Sequence, residues 1–168
     1  MKKYTYFAVL FSLVVLFSFS SCSKDDHYYW DRGRLDYTAE LTVTTNKVFQ
    51  TSFRVYEDNI RLRGNNRYVE IHDIKFISGY SDIYVYTDGY IDWMDLRVEG
   101  TNAKLQYDVI HFDFPVQDET DQAQYFLDMM IEQIRRYGYA TIIVDGKGDI
   151  DSDYDIEFGV DLDLYVRE

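Results

Sequence analysis

The chain has 168 residues, a formal net charge of −13 and a single cysteine. That length suits one domain, and so acidic a surface repels the phosphates of nucleic acid, whose recognition rests on Lys and Arg. One cysteine leaves no partner for an internal disulfide, so the core must hold the fold unaided.

Met1-Lys2-Lys3 gives a basic start to an apolar run, FAVLFSLVVLFSF, over residues 7–19. A run of that length fits the hydrophobic region of a secretory signal and is short for a membrane span. Ser20 and Ser21 then precede Cys22 and the tract Ser23-Lys24-Asp25-Asp26. A hydrophobic core, two small residues and a cysteine resemble the lipobox of bacterial lipoproteins, with Phe19 where that family usually carries Leu. The resemblance covers residues 1–26. It implies that residues 1–21 are a lipoprotein signal peptide, that Cys22 becomes the acylated N-terminus, and that the mature chain is tied to a membrane of the cell envelope. Several acyl chains hold a protein stably where one does not. The tract SKDD is similar to the Lys-plus-acid tracts that send some lipoproteins to the outer face of the outer membrane; a solvated tether is the other reading. Loss of Lys2 and Lys3 with the signal lowers the charge from −13 to −15. An ordinary cleaved signal followed by a stray cysteine is the competing account.

Residues 22–34 read as a lipidated tether and residues 35–168 as a single domain. Fully extended, residues 23–34 reach about 40 Å, which keeps the domain close to its membrane. His27-Tyr28-Tyr29-Trp30 within this tether can sit at a bilayer interface or pack back as a first strand, and the acidic surroundings favour packing. From Leu35 the pattern has the period of two of half-buried strands. Such runs cover residues 35–43, 49–55, 60–62, 69–76, 83–87, 91–98 and 105–114, and Pro115 can end the last of them.

After Pro115 the period changes. Ala123, Phe126, Leu127, Met130, Ile131, Ile134 and Tyr137 recur at helical steps. Asp118, Glu119 and Asp121 lie at the start and Arg135 and Arg136 at the end, as the helix dipole favours, and Gly138 supplies a C-terminal cap. Residues 141–144 and 158–166 are strands again. The pattern predicts a mainly β protein: an antiparallel β-sandwich of immunoglobulin-like architecture, whose single amphipathic helix caps an end or crosses between sheets. An α+β fold, with one curved antiparallel sheet packed on the helix, is the alternative.

The common enzyme motifs are missing: no nucleophile elbow, no zinc-protease helix, no phosphate-binding glycine loop. His72 with Asp73 and His111 with Asp113 lack a third partner and read as polar strand faces. The chain is therefore not expected to be an enzyme, and no cofactor is implied. Asp149, Asp151, Asp153 and Asp155 alternate, and such carboxylates can converge on calcium where the backbone loops around the ion. Counted from Asp149, positions six and twelve hold Tyr154 and Val160 in place of the Gly and Glu of an EF-hand. A turn between the last two strands is the plainer reading.

The stretch YSDIYVYTDGYIDWMDLRVEG carries the most functional content. Asp88-Gly89 between two alternating runs predicts a β-hairpin with a type I′ turn. That register sets Tyr84 against Trp93. It sorts Ile83, Val85, Met94, Leu96 and Val98 onto one face, and Tyr80, Asp82, Tyr84, Tyr86, Ile91, Trp93, Asp95 and Arg97 onto the other. Tyr80, Tyr84, Tyr86 and Trp93 then form a candidate ligand platform, whose rings would stack on sugar C–H faces while the charged groups hydrogen-bond hydroxyls. Aromatic cross-strand pairs also stabilise sheets without any ligand. Three functions follow: a non-catalytic binding or adhesion module on the envelope, for glycans or an envelope protein; a structural accessory subunit of an outer-membrane complex; and, least favoured, a hydrolase with dispersed carboxylates. The lipid anchor has a direct test. The unsubstituted chain should partition into the detergent phase of a two-phase extraction and Cys22→Ala should not; equal partitioning refutes the anchor.

Overall fold

The computed structural model describes residues 27–43, 47–63, 70–111, 113, 115–149 and 151–167. The signal segment 1–21, Cys22 and the tract 23–26 lie outside them. Ten strands and one α-helix follow in order: β1 (Tyr28–Thr42), β2 (Val48–Tyr56), a short 3₁₀ turn (Glu57–Asn59), β3 (Ile60–Leu62), β4 (Glu70–Phe76), β5 (Asp82–Thr87), β6 (Tyr90–Val98), β7 (Lys104–His111), β8 (Val116–Asp118), α1 (Asp121–Tyr137), β9 (Tyr139–Gly148) and β10 (Asp153–Arg167). They form two antiparallel sheets. The first runs β3-β1-β10-β5-β8, with β4 and β5 sharing one edge of β10, and the second runs β2-β9-β6-β7. This is a β-sandwich packed with one helix. Its likeness to an immunoglobulin domain rests on the two-sheet architecture; the strand order is its own.

Alternation explains the layers. In β10, Tyr154, Ile156, Phe158, Val160, Leu162, Leu164 and Val166 all point inward and are buried, while every intervening residue but Asp161 retains some exposure. The inward residues of both sheets and the apolar stripe of α1 merge into one core. The helix touches β9, β6 and β7 of the second sheet and β4 and β5 of the first, so it closes the open side between them. Phe126 of α1 stacks on Phe158 of β10 at 6.4 Å.

The helix ends follow from local chemistry. Thr120 Oγ1 accepts from the Ala123 amide at 3.3 Å, an N-terminal cap. Gly138 takes the left-handed conformation, φ 78°, and its amide donates to Ile134 O at 2.7 Å. Ala123, Phe126, Leu127, Met130, Ile131 and Ile134 are buried, but Tyr137 is 63% exposed and does not belong to the stripe. Residues 116–118, which the sequence assigns to the helix approach, form β8 instead. Asp118 there accepts from the Tyr107 hydroxyl at 3.0 Å, tying the edge of one sheet to the edge of the other. Burial and that carboxylate push the Tyr107 pKa up.

Two sequence expectations are corrected. The first strand begins at Tyr28, not near Leu35: residues 28–34 pair with residues 161–167 of β10, so Tyr28–Trp30 do pack back as a first strand, the reading the acidic surroundings favour. The second correction concerns Asp88-Gly89. β5 and β6 do not pair: β5 lies in the first sheet against β10 and β8, and β6 lies in the second against β7 and β9. The chain crosses the sandwich at this turn. Neither Asp88 nor Gly89 has the positive φ of a type I′ turn. Gly89 is required because Ser152 occupies the space of a Cβ. The Asp88 amide donates to Asp153 O at 3.2 Å, and Asp88 Oδ1 accepts from the Asp153 amide at 2.8 Å. These bonds fasten the turn to the start of β10.

The helical phase has a sharp test. Ile134→Asp puts a charge into a fully buried position and should destabilise by about 3 kcal/mol or more. Glu132 instead pairs with Arg135 at 2.9 Å and Arg136 at 2.7 Å on the surface. Glu132→Ala should change stability by less than about 0.5 kcal/mol in urea unfolding. Similar losses from both would overturn the assignment.

Candidate ligand-binding site

The arch between β5 and β6 divides the predicted platform. The inward residues Ile83, Val85, Met94, Leu96 and Val98 do meet in the core, but their outward neighbours lie on opposite sides of the sandwich. Tyr84 and Tyr86 face outward from the first sheet, Tyr80 stands 75% exposed in the turn before β5, and Trp93 faces outward from the second sheet. Trp93 and Tyr84 are not cross-strand partners. Ile91 is also misassigned, for it is 1% exposed. A bulge between Ile91 and Trp93 in the β6–β9 ladder shifts the alternation, so that Ile91 and Met94 both point inward. Val109, beside the same point on β7, has φ 46° and is exposed.

The four aspartates do not converge either. Asp149 follows β9, and its amide donates to Tyr90 O at 2.9 Å. Asp151 turns in the left-handed region, φ 63°, and its amide donates to Val43 O at 2.7 Å. Asp153 Oδ1 accepts from Thr42 Oγ1 at 2.6 Å, and Asp155 lies within the sheet between Glu40 and Tyr86. Among the described residues no three His, Cys, Asp or Glu side chains are grouped to hold a metal ion. This segment joins two strands of different sheets, and the hydrogen bonds of Asp149, Asp151 and Asp153 lead to Tyr90, Val43 and Thr42 respectively.

The outer face of the first sheet does build a site. On β10, Gly159 sits between Asp36 of β1 and Asp82 of β5, and Glu157 sits between Thr38 of β1 and Tyr84 of β5. One step further along, Arg34 opposes Asp161. The Arg34 and Asp82 head groups reach over Gly159, and with their neighbours these residues line a cleft of about 150 Å³ that includes Gly159 and Phe158. A Cβ at Gly159 would collide with the Asp82 carboxylate and the Arg34 guanidinium. Arg34 is held from several sides. Its Nε donates to Asp36 Oδ1 at 2.6 Å, its Nη1 donates to Asp161 Oδ1 at 2.9 Å, and its Nη2 lies 4.0 Å from Asp82 Oδ1. The Asp36 hydrogen bond, aided by Asp161, pushes the guanidinium pKa up and keeps it charged. Gln117 of β8 donates to Asp82 Oδ2 at 3.3 Å from the far side.

The cleft therefore presents a fixed guanidinium, carboxylate oxygens from Asp82 and Glu157, the Thr38 side chain and the partly exposed Tyr84 ring. Of the predicted platform, Tyr84 lines it together with Asp82. Arg34, Asp36, Glu157 and Gly159 come from strands more than a hundred residues apart in the chain, and pairwise alternation within one hairpin does not reveal them. Gly159 inside an otherwise regular strand was the available signal, since a strand glycine marks a close approach. Trp93 borders a more open depression with Asp95, Gln106 and Asp108, lined by carboxylates without a cation.

No protein-family model matches this chain, and a search of curated proteins finds no match either. The fold and this cleft are the basis for a functional reading.

Gly159 and Gly33 make a paired test of what each glycine is for. A Cβ at Gly159 meets only the ends of two part-exposed side chains, Asp82 and Arg34, whose shift stays at the surface, whereas one at Gly33 meets buried Leu164 and the Arg61 carbonyl. Gly159→Ala should change unfolding free energy by less than about 1 kcal/mol, and Gly33→Ala should destabilise by about 1–3 kcal/mol through overpacking.

Proposed function

We propose that this chain is a lipid-anchored, non-catalytic binding module of the cell envelope, and that the outer-face cleft of its first sheet takes a neutral glycan. The observation that carries the reading is the Tyr84 ring in one cleft with Arg34, Asp82 and Glu157. A tyrosine face packs against apolar C–H surface. The guanidinium donates to hydroxyl oxygens and the carboxylates accept from hydroxyl protons, each charge-assisted and stronger than a neutral pair. The carboxylates outnumber the one cation, which disfavours phosphorylated or acidic ligands. The lipobox resemblance of residues 1–26 supports the envelope location, because in that family the cysteine matching Cys22 carries the lipid. A single shallow cleft with one stacking ring supports an affinity near about 1 mM, equivalent to about −4 kcal/mol. Tight retention then needs repeated epitopes on one polymer.

Retention of the lipidated protein, displayed on vesicles, on immobilised neutral polysaccharides tests this. Tyr84→Ala and Gly159→Leu should each reduce retention at least about tenfold, a loss of about 1.4 kcal/mol. Trp93→Ala and Tyr86→Ala, outside the cleft, should leave it unchanged. Equal loss with Trp93→Ala, or indifference to Tyr84→Ala, would refute the cleft as the binding site.

A further inference from the structure

A second cluster of aromatics marks the other end of β1. Tyr28 stacks on Tyr165 at 5.7 Å and meets the His72 ring edge-on at 5.0 Å, and Trp30 packs against Tyr165 at 5.2 Å. The ladder fixes these positions, since Trp30 is paired with Tyr165 and Tyr28 with Arg167. Strand pairing leaves much of the rings uncovered: Tyr28 is 43% exposed and Trp30 45% exposed. Cations are interleaved with them. Lys75 Nζ lies 4.0 Å from the Trp30 ring centroid, Arg32 pairs with Asp163 at 3.4 Å and Arg167 with Glu70 at 3.4 Å. In a chain of net charge −13, this end of the sheet is locally balanced.

Nothing in the glycan cleft uses these residues. What lies next to them is the N-terminus. Residues 23–27 separate Cys22 from Tyr28, and fully extended chain of that length reaches about 20 Å. Trp and Tyr favour the headgroup level of a bilayer, where a flat ring meets acyl chains and its polar atom meets water. Lys and Arg stems fit the same layer, with their charge toward water or phosphate.

We propose that Tyr28, Trp30 and Tyr165 seat the domain on the bilayer that holds the Cys22 acyl chains. The anchor then delivers the domain in one orientation, with the aromatic end of the first sheet in the interface. This inference rests on the lipid-anchor reading above and adds the face that meets the membrane. It explains large rings left open at the end of the sheet nearest the attachment point. Trp30 shares the outer face of β1 with the cleft residues Arg34 and Asp36, about 14 and 20 Å further along the strand at about 3.4 Å per residue.

The chain contains two tryptophans, one at the proposed seat and one on the opposite sheet, which makes the test internal. The full lipidated protein is reconstituted in vesicles of phosphatidylcholine and phosphatidylglycerol, with plain or brominated acyl chains. In Trp93→Phe the remaining Trp30 emission should fall at least about twofold with brominated lipid, as expected for a ring at headgroup level. In Trp30→Phe the remaining Trp93 emission should hold constant, and the unsubstituted chain should give an intermediate value. That intermediate value needs no substitution and stands as the check if either variant misfolds. Co-flotation with vesicles but no quenching of Trp30, or equal quenching of both rings, overturns the seating while leaving the anchor intact. Failure to co-float removes the anchor itself and the seating with it.

Discussion

The ladder between β1 and β10 is the constraint on which the rest of the molecule depends. It runs without a register shift from Tyr28 paired with Arg167 to Thr42 paired with Asp153. β3 adds to the free edge of β1, and β4 and β5 divide the other edge of β10 between them. Remove that pairing and the first sheet has no centre. Because β1 and β10 are the first and last strands, loop-closure entropy opposes their meeting until other contacts have shortened the path. The second sheet can assemble earlier, since β6 and β7 form a local hairpin through Gly100 at φ 74°. The helix, capped at both ends, can form locally as well.

The same ladder organises the chemistry of the outer face. Arg34 meets Asp161 because their strands are paired, and Asp161 in turn is held by its amide, which donates to Ser81 Oγ at 3.0 Å. Arg63 Nη1 lies 3.7 Å from the other Asp161 oxygen. A carboxylate that is only 8% exposed is stable here because two guanidiniums share it. The half of the Arg34 head that faces Asp36 and Asp82 remains at the cleft. Sheet geometry thus holds the guanidinium in one orientation, so a group docking on the proposed cleft would meet it already ordered.

What could be read from the chain was local. The period of two located most of the strands and the period near four located α1, with Gly138 at its end; the Thr120 cap emerged only from the structure. Burial sides were also legible: Ile83, Val85, Met94, Leu96 and Val98 face the core as their pattern implies. Sheet membership was not. Alternation states which side of a strand is apolar, and both a hairpin and an arch satisfy it, because an arch turns two apolar faces toward each other across the core. The distinction at Asp88-Gly89 lay in Asp153 and Ser152, which occupy the space around the turn from far along the chain. The bulge near Asp92 was hidden for a similar reason, since Lys147 pairs with Asp92 from β9. Half of the site followed the same divide: Tyr84 and Asp82 are close in sequence, whereas Arg34 and Glu157 reach the cleft from β1 and β10 through sheet pairing alone.

One mechanical property follows from the direction of β1. The strand starts at Tyr28 and runs along its own axis toward the cleft. Tension applied at its N-terminal end acts parallel to the strand, while its hydrogen bonds to β10 and β3 lie across it. Such a load shears the whole row at once instead of opening pairs singly from the end. Resistance is then set by the barrier to slipping an entire ladder, a kinetic quantity separate from the equilibrium stability of the fold. A grip on the outer face of the first sheet, opposed by a pull at Tyr28, loads the sandwich along its strongest direction.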